Sequence, residues 1–355
     1  MARIITLSEL KRELHRSLDT VELNSFRFTA EVLEECKAYR GSLEQKNVTL
    51  HLCTFDVDPT PLIQLFKPHG KDLTIVRITY ATVPDDDWTS VVHAISELGW
   101  SNLELNRFVG YALYSALRGL MNHPMKKLTL DGCAYYGLSK EVPVIPVLCE
   151  ALEIMRCGFQ GVYLPCTFPS TTMFEIARTW KVIGLMNAIE SMTQLVNIGF
   201  DQIHPNQISR ILSRFRGSTE DKQLYFFFIF IENVTQNMLD SLVTLIKQAH
   251  ASRITLEFYV CEGSGEDMLR FLKQVQFEPV QLGSRTSFND HEASKGWPAK
   301  IEWYNTRVKA NREFMAMLYT RRRQASDQPM LADLPAAMRY QMYLDHVGGP
   351  FIMEI

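Results

Sequence analysis

Short apolar-x-apolar pairs recur along this sequence at nearly constant spacing, and that period constrains the fold more than any single motif. The pairs are Val21/Leu23, Leu50/Leu52, Val76/Ile78, Leu103/Leu105, Leu128/Leu130, Leu152/Ile154, Val196/Ile198, Phe226/Phe228, Ile254/Leu256 and Val280/Leu282. Their first members lie 29, 26, 27, 25, 24, 44, 30, 28 and 26 residues apart, so eight of nine intervals fall between 24 and 30. Alternation with a period of two marks each pair as part of a strand. One strand of about five residues with one returning helix cannot bury its own apolar face, whereas stacked copies bury a continuous core.

Helical spacing fills the intervals. Trp88, Val91, Val92, Ile95 and Leu98 share a face behind Asp85–Asp87, which read as capping residues. Met238, Leu239, Leu242, Leu245 and Ile246 repeat the pattern, as do Met268, Leu269, Leu272 and Val275, and Ile208, Ile211, Leu212 and Phe215 give a shorter version. Alternating strands and helices also suit a doubly wound sheet or a barrel. The first would carry a Gly-x-Gly-x-x-Gly turn after its first strand, and the sequence has none.

Composition narrows the functional classes. A net charge of −3 argues against a nucleic-acid binder, and 22% charged residues with 11% aromatics argue against global disorder. The longest apolar run, Leu224 to Ile231, falls far short of the ~20 residues that span a bilayer, so no membrane segment is expected. No secretory signal is legible at the N-terminus, and seven cysteines without a Cys-x-x-Cys suit free thiols. Together these point to an intracellular protein, cytoplasmic or nuclear.

The best-formed units read Leu128-Thr-Leu130-Asp-Gly-Cys133 and Leu152-Glu-Ile154-Met-Arg-Cys157. They resemble the leucine-rich-repeat signature Leu-x-Leu-x-x-Asn/Cys, in its ribonuclease-inhibitor-like and F-box-associated forms, over roughly residues 20 to 283. The resemblance implies an α/β solenoid, a horseshoe with parallel strands on the concave face and helices on the convex face. Thr6-Leu-Ser-Glu9 has capping-box spacing, so residues 1–19 are expected to form an N-terminal helical cap. Residues 20–283 form the solenoid, with an irregular or inserted segment at 158–193 read as a decayed repeat or a functional loop. Residues 284–355 form a C-terminal helical cap or appendage, with helical faces over 301–318 and 334–346. An F-box needs a longer run of helices than precedes the first strand.

In each pair the apolar residues point to the core and the residue between them to the concave face. That rule selects His51, Arg77, Glu104, Thr129, Glu153, Asn197, Phe227, Thr255 and Gln281, with Lys127, Asp131, Met155 and Glu257 two residues away. Nine strands about 4.8 Å apart would present roughly 38 Å of such a face, enough for another protein. Leu224–Ile231 is apolar on both faces, leaving Tyr225, Phe227 and Ile229 to be covered within the chain or by a partner.

Other chemistries lack their residues. Nine histidines show no zinc-ligand spacing, so no metal is expected, and no cofactor motif is present. Cys133 and Cys157 read as packed turn residues rather than nucleophiles. The basic run Arg321–Arg323 reads as a solvated helix face. The expectation is a non-enzymatic protein that binds another protein on its concave strand face. An adaptor presenting a client to a ubiquitin-ligase-type assembly and an α/β enzyme stand as alternatives.

Overall fold

The computed structural model describes residues 3–14, 19–38, 43–70, 74–137, 142–159, 163–215, 223–229, 231, 234–248, 253–258, 270–271, 274 and 351–354. The chain is an α/β fold in which parallel strands alternate with helices. It divides into two compact units, Met1–Met173 with Thr179–Gln194 and Phe174–Arg178 with Leu195–Ile355.

Among the described residues the first unit contributes six parallel strands to the large sheet: β1 (Thr20–Asn24), β2 (Asn47–His51), β3 (Ile75–Thr79), β4 (Asn102–Asn106), β5 (Met125–Asp131) and β6 (Cys149–Met155). They pair in chain order, each with the next. A doubly wound sheet reverses its order at a switch point, and this unit does not. The register aligns Val21, Val48, Val76, Leu103, Leu128 and Leu152 in one row. Leu23, Leu50, Ile78, Leu105, Leu130 and Ile154 form a second, and all twelve are at most 1% exposed. Each such side chain stabilises the fold by about 1.5–3 kcal/mol relative to exposure.

Helices return the chain: α1 (Leu7–Leu14), α2 (Ala30–Ala38), α3 (Thr60–Ile63), α4 (Thr89–Glu97), α5 (Tyr111–Gly119) and α6 (Met186–Glu190). Their inner faces bury Val32, Leu33, Val91, Ile95, Leu113 and Leu117. α4 and α5 approach so closely that a Cβ on Gly119 would stand 2.6 Å from the Thr89 carbonyl oxygen. Thr6 and Glu9 form the expected capping box, the Glu9 amide donating to Thr6 Oγ1 at 3.3 Å and the Thr6 amide to Glu9 Oε2 at 3.1 Å. One residue ahead of the α4 N-cap, Asp87 Oδ1 accepts from the Thr89 amide at 3.0 Å and the Thr89 hydroxyl at 2.6 Å. Burial opposes ionisation of Asp87, but those bonds and Arg118 more than offset it and lower its pKa.

A left-handed residue ends strand after strand: Ser25, Leu52, Tyr80, Arg107, Gly132 and Arg156 in this unit, with φ between 51° and 65°. After five of these six the next residue turns inward, and Phe26, Cys53, Phe108, Cys133 and Cys157 are buried, while Ala81 after Tyr80 is only partly covered.

The second unit contains β7 (Met173–Ala177, from Phe174 onward), β8 (Asn197–Asp201), α7 (Pro205–Arg214), β9 (Gln223–Ile229), α8 (Gln236–Gln248), β10 (Arg253–Phe258) and β11 (Phe351–Glu354). Strand order again follows the chain, with β11 antiparallel to β10 at the edge. Phe174, Ile176, Ile198, Phe200, Phe226 and Phe228 are buried, and the Phe200 and Phe228 rings stack with centroids 5.3 Å apart. Arg178 and Gln202 hold its left-handed positions.

The register corrects two of the sequence pairs and adds a third. The second core pair is Val48/Leu50, because Leu52 occupies the left-handed position and is 45% exposed. The pair in β8 is Ile198/Phe200 instead of Val196/Ile198. Inside the 44-residue interval stand the strand pair Phe174/Ile176, a 3-10 turn (Val182–Leu185) and α6. First members Val21, Val48, Val76, Leu103, Leu128, Leu152, Phe174, Ile198 and Phe226 are then 22 to 28 residues apart. Of the expected helix at 268–275 only residues 270, 271 and 274 are described, each helical. The helical faces at 301–318 and 334–346, the pair Val280/Leu282 with Gln281, and Arg321–Arg323 lie outside the described residues.

Candidate partner-binding face

Strand alternation in the first unit leaves two polar rows on the sheet face opposite the buried side chains. One row is Glu22, Thr49, Arg77, Glu104, Thr129 and Glu153. The other is Asn24, His51, Thr79, Asn106, Asp131 and Met155. His51 therefore stands beside Thr79 rather than in the Arg77 row, and Thr49 holds the place the sequence reading gave it. The error came from taking Leu52 as a core residue.

Charges on this face are tied strand to strand. Arg77 Nε donates to Glu104 Oε2 at 2.7 Å, and Asn106 Nδ2 donates to Glu104 Oε1 at 2.9 Å. Lys127 Nζ lies 2.6 Å from Glu153 Oε2, which also accepts from the Thr129 hydroxyl at 3.2 Å. Arg156 Nε donates to Asp131 Oδ1 at 2.7 Å, and its Nη2 engages the other carboxylate oxygen. The carboxylates are the buried partners: Glu104 and Glu153 side chains are 17% and 14% exposed, against 43% for Arg77 and 44% for Lys127. Thr129 and Asp131 are themselves nearly covered, at 7% and 5% exposure. The long cationic side chains thus form the outer layer over a floor of acceptors. Arg156 escaped the sequence reading, although it sits immediately before Cys157 as Arg107 sits before Phe108.

In the second unit Phe227 pairs in register with Gly199, and a Cβ there would stand 2.1 Å from Phe227 Cζ. The far end of the phenyl ring occupies the space that a side chain at Gly199 would fill, and Phe227 is partly buried there. Tyr225 is also half-buried, in register with Asn197, and its ring centroid is 6.0 Å from that of Phe227. Ile229 is not part of an exposed patch: it is 4% exposed. Thr255 and Glu257 align with Tyr225 and Phe227 in the backbone register, and their side chains lie outside the described residues. A polar groove of about 410 Å³ between α7 and α8 is lined by Asn206, Ser209, Arg210, Ser213, Asn237 and Ser241, away from all of these positions in sequence.

The buried thiols serve the repeat. Cys53 Sγ donates to the Leu23 carbonyl at 3.2 Å, Cys133 Sγ to Leu105 at 3.3 Å and Cys157 Sγ to Leu130 at 3.3 Å, one bond type in three repeats. Burial pushes the Cys53 thiol up to about 11, and burial with the neighbouring Cys133 pushes Cys157 well above its ordinary value. A thiol so held is a poor nucleophile at neutral pH. Among the described residues no group of three His, Cys, Asp or Glu is placed to hold a metal ion, and no helix is long and apolar enough to cross a membrane. No family model matches the chain, and no curated protein matches it.

Proposed function

We propose that this chain is a non-enzymatic recognition protein of leucine-rich-repeat type, with strands on a concave face and helices on a convex one. It binds another protein on the strand face of its first unit. The observation that carries this reading is the cross-strand network Arg77–Glu104, Lys127–Glu153 and Arg156–Asp131. The first two pairs join adjacent strands and the third joins a strand to the left-handed residue that ends the next one, so the mixed pattern of charge is held by the sheet itself and needs little ordering on contact. Pre-organised charge of this kind selects partners and steers their approach more than it adds raw affinity. The repeat reading draws on the sequential parallel order, the left-handed strand ends and the shared thiol-to-carbonyl bonds. In the second unit Phe227 and Tyr225 supply half-buried aromatic surface of the kind that anchors interfaces.

Quantitative affinity capture tests the reading by comparing wild type with Arg77→Glu and Phe227→Ser, each at a temperature well below the variant's own melt. A partner enriched by wild type and lost with Arg77→Glu supports the first unit's face. Identical capture profiles for wild type and both variants reject it.

A further inference from the structure

The left-handed strand ends carry side chains that backbone sterics alone would not select. An L residue at φ near +55° brings its Cβ against the following carbonyl oxygen, and glycine escapes that contact. Gly132 shows that the position accepts glycine, yet Leu52, Tyr80 and Arg107 keep large side chains at φ 52°, 51° and 65°. Leu52 and Tyr80 are 45% and 51% exposed, and Arg107 is exposed, so burial does not explain them.

Their arrangement is specific. The Arg107 guanidinium carbon lies 5.6 Å from the centre of the Tyr80 ring. Arg107 also crosses Gly132 so closely that a Cβ there would stand 2.8 Å from both Cδ and Nε. The one glycine in the row is thus the position Arg107 leans across. His51 meets Tyr80 edge-on with ring centroids 6.4 Å apart. The nearby carboxylates are already engaged, Glu104 on the same strand by Arg77 and Asp131 on the next strand by Arg156, and among the described residues none pairs with Arg107. Its cation is therefore held near a ring and across a glycine backbone, exposed, and without a carboxylate partner among the described residues.

We infer that Arg107 is a preset anchor for a side-chain carboxylate on an acidic segment of a partner polypeptide. Tyr80 is its floor, and His51 and Leu52 are the flank on which the residues beside that carboxylate pack. A single planar guanidinium matches one carboxylate bidentately, whereas phosphate recognition draws on clusters of basic side chains. The anchor deepens the recognition reading above and rests on it in taking the ligand to be polypeptide.

The test immobilises the full chain and titrates three peptide libraries of equal length and randomised sequence, one bearing Asp and Glu, one Asn and Gln at the same positions, and one phosphoserine. The expected result is preferential binding of the acidic library, reduced about tenfold or more by Arg107→Gln and only partly restored by Arg107→Lys, which keeps the charge but not the fork. Tyr80→Leu, which removes the floor, gives an independent loss should Arg107→Gln melt early. Equal binding of the acidic and amide libraries overturns the anchor, as does an acidic preference that survives both Arg107→Gln and Tyr80→Leu. Tighter binding of the phosphoserine library overturns the carboxylate assignment. Protein capture that still depends on Arg77 while the acidic preference is missing removes the anchor and leaves the strand-face reading in place.

Discussion

Replacing Gly199 with alanine isolates one contact that the strand face of the second unit depends on. The added Cβ would stand 2.1 Å from Phe227 Cζ, 2.2 Å from Cε2 and 2.9 Å from Cε1, far inside van der Waals contact. The ring is the movable party, so it must swing off the backbone and give up the packing it has there. Forced rearrangements of this size cost about 1–3 kcal/mol. Alanine is otherwise the better strand residue, because glycine in a strand interior is destabilising by roughly 0.5–1 kcal/mol. The sign of the substitution should therefore reverse with its neighbour. In the native background Gly199→Ala destabilises, and in a Phe227→Ala background it stabilises by the smaller amount. Urea unfolding of the four proteins, followed by circular dichroism and tryptophan fluorescence, measures the cycle, with coincident transitions as the condition for reading free energies. Additivity of the two changes within about 0.3–0.5 kcal/mol would refute the close approach on which this face is built.

Leu52→Gly relieves a left-handed backbone by about 1–2 kcal/mol but adds glycine's cost of roughly 0.5–1 kcal/mol and removes a partly covered side chain, so stability should change by no more than about 1 kcal/mol; a loss of the 2–5 kcal/mol typical of truncating a core leucine would contradict its placement outside the core. Arg77→Glu sets a second carboxylate against Glu104, whose side chain is only 17% exposed, and should cost more than the ~1 kcal/mol of an exposed pair, so partner capture is compared at a temperature well below the variant's own melt. Stability should fall as pH rises from 9 towards 11. Burial lifts Cys36, Cys53 and Cys149 from their ordinary 9.0 to about 11, so in that window the unfolded chain has released protons that the folded chain retains. The slope approaches about 1.4 kcal/mol per pH unit for each thiol, and a cysteine-to-alanine variant at Cys53 should flatten it in alkaline denaturant melts.

Where the sequence read the fold well, the reason was redundancy. Leu103, Leu105, Leu128, Leu130, Leu152 and Ile154 alternate with polar residues inside strands that the register aligns pair for pair. Where it misread, one residue imitated another role. Leu52 completes an apolar alternation with Leu50, although its backbone has already turned left-handed. Val196 lies two residues before the true pair in β8. Phe174 and Ile176 were hidden because the apolar-periodic stretch from Met173 to Met192 joins a strand, a 3-10 turn and a helix with only Arg178–Lys181 between strand and turn. Among the candidate site residues, Arg77, Glu104, Thr129 and Glu153 fall in one row as the alternation implied, while His51 and Asn197 belong to adjacent positions and Ile229 is buried.

The sequence by itself determined the period, the parallel strand units and the two buried residues in most of them. Those follow from local alternation, which every repeat states again within a few residues. Only the tertiary structure decided which charges meet: Arg77 with Glu104 across 27 residues, Asp131 with Arg156 across 25, and Arg107 with a tyrosine instead of a carboxylate. Such pairs depend on the register between strands and on the reach of long side chains. Neither is encoded in the spacing within one strand.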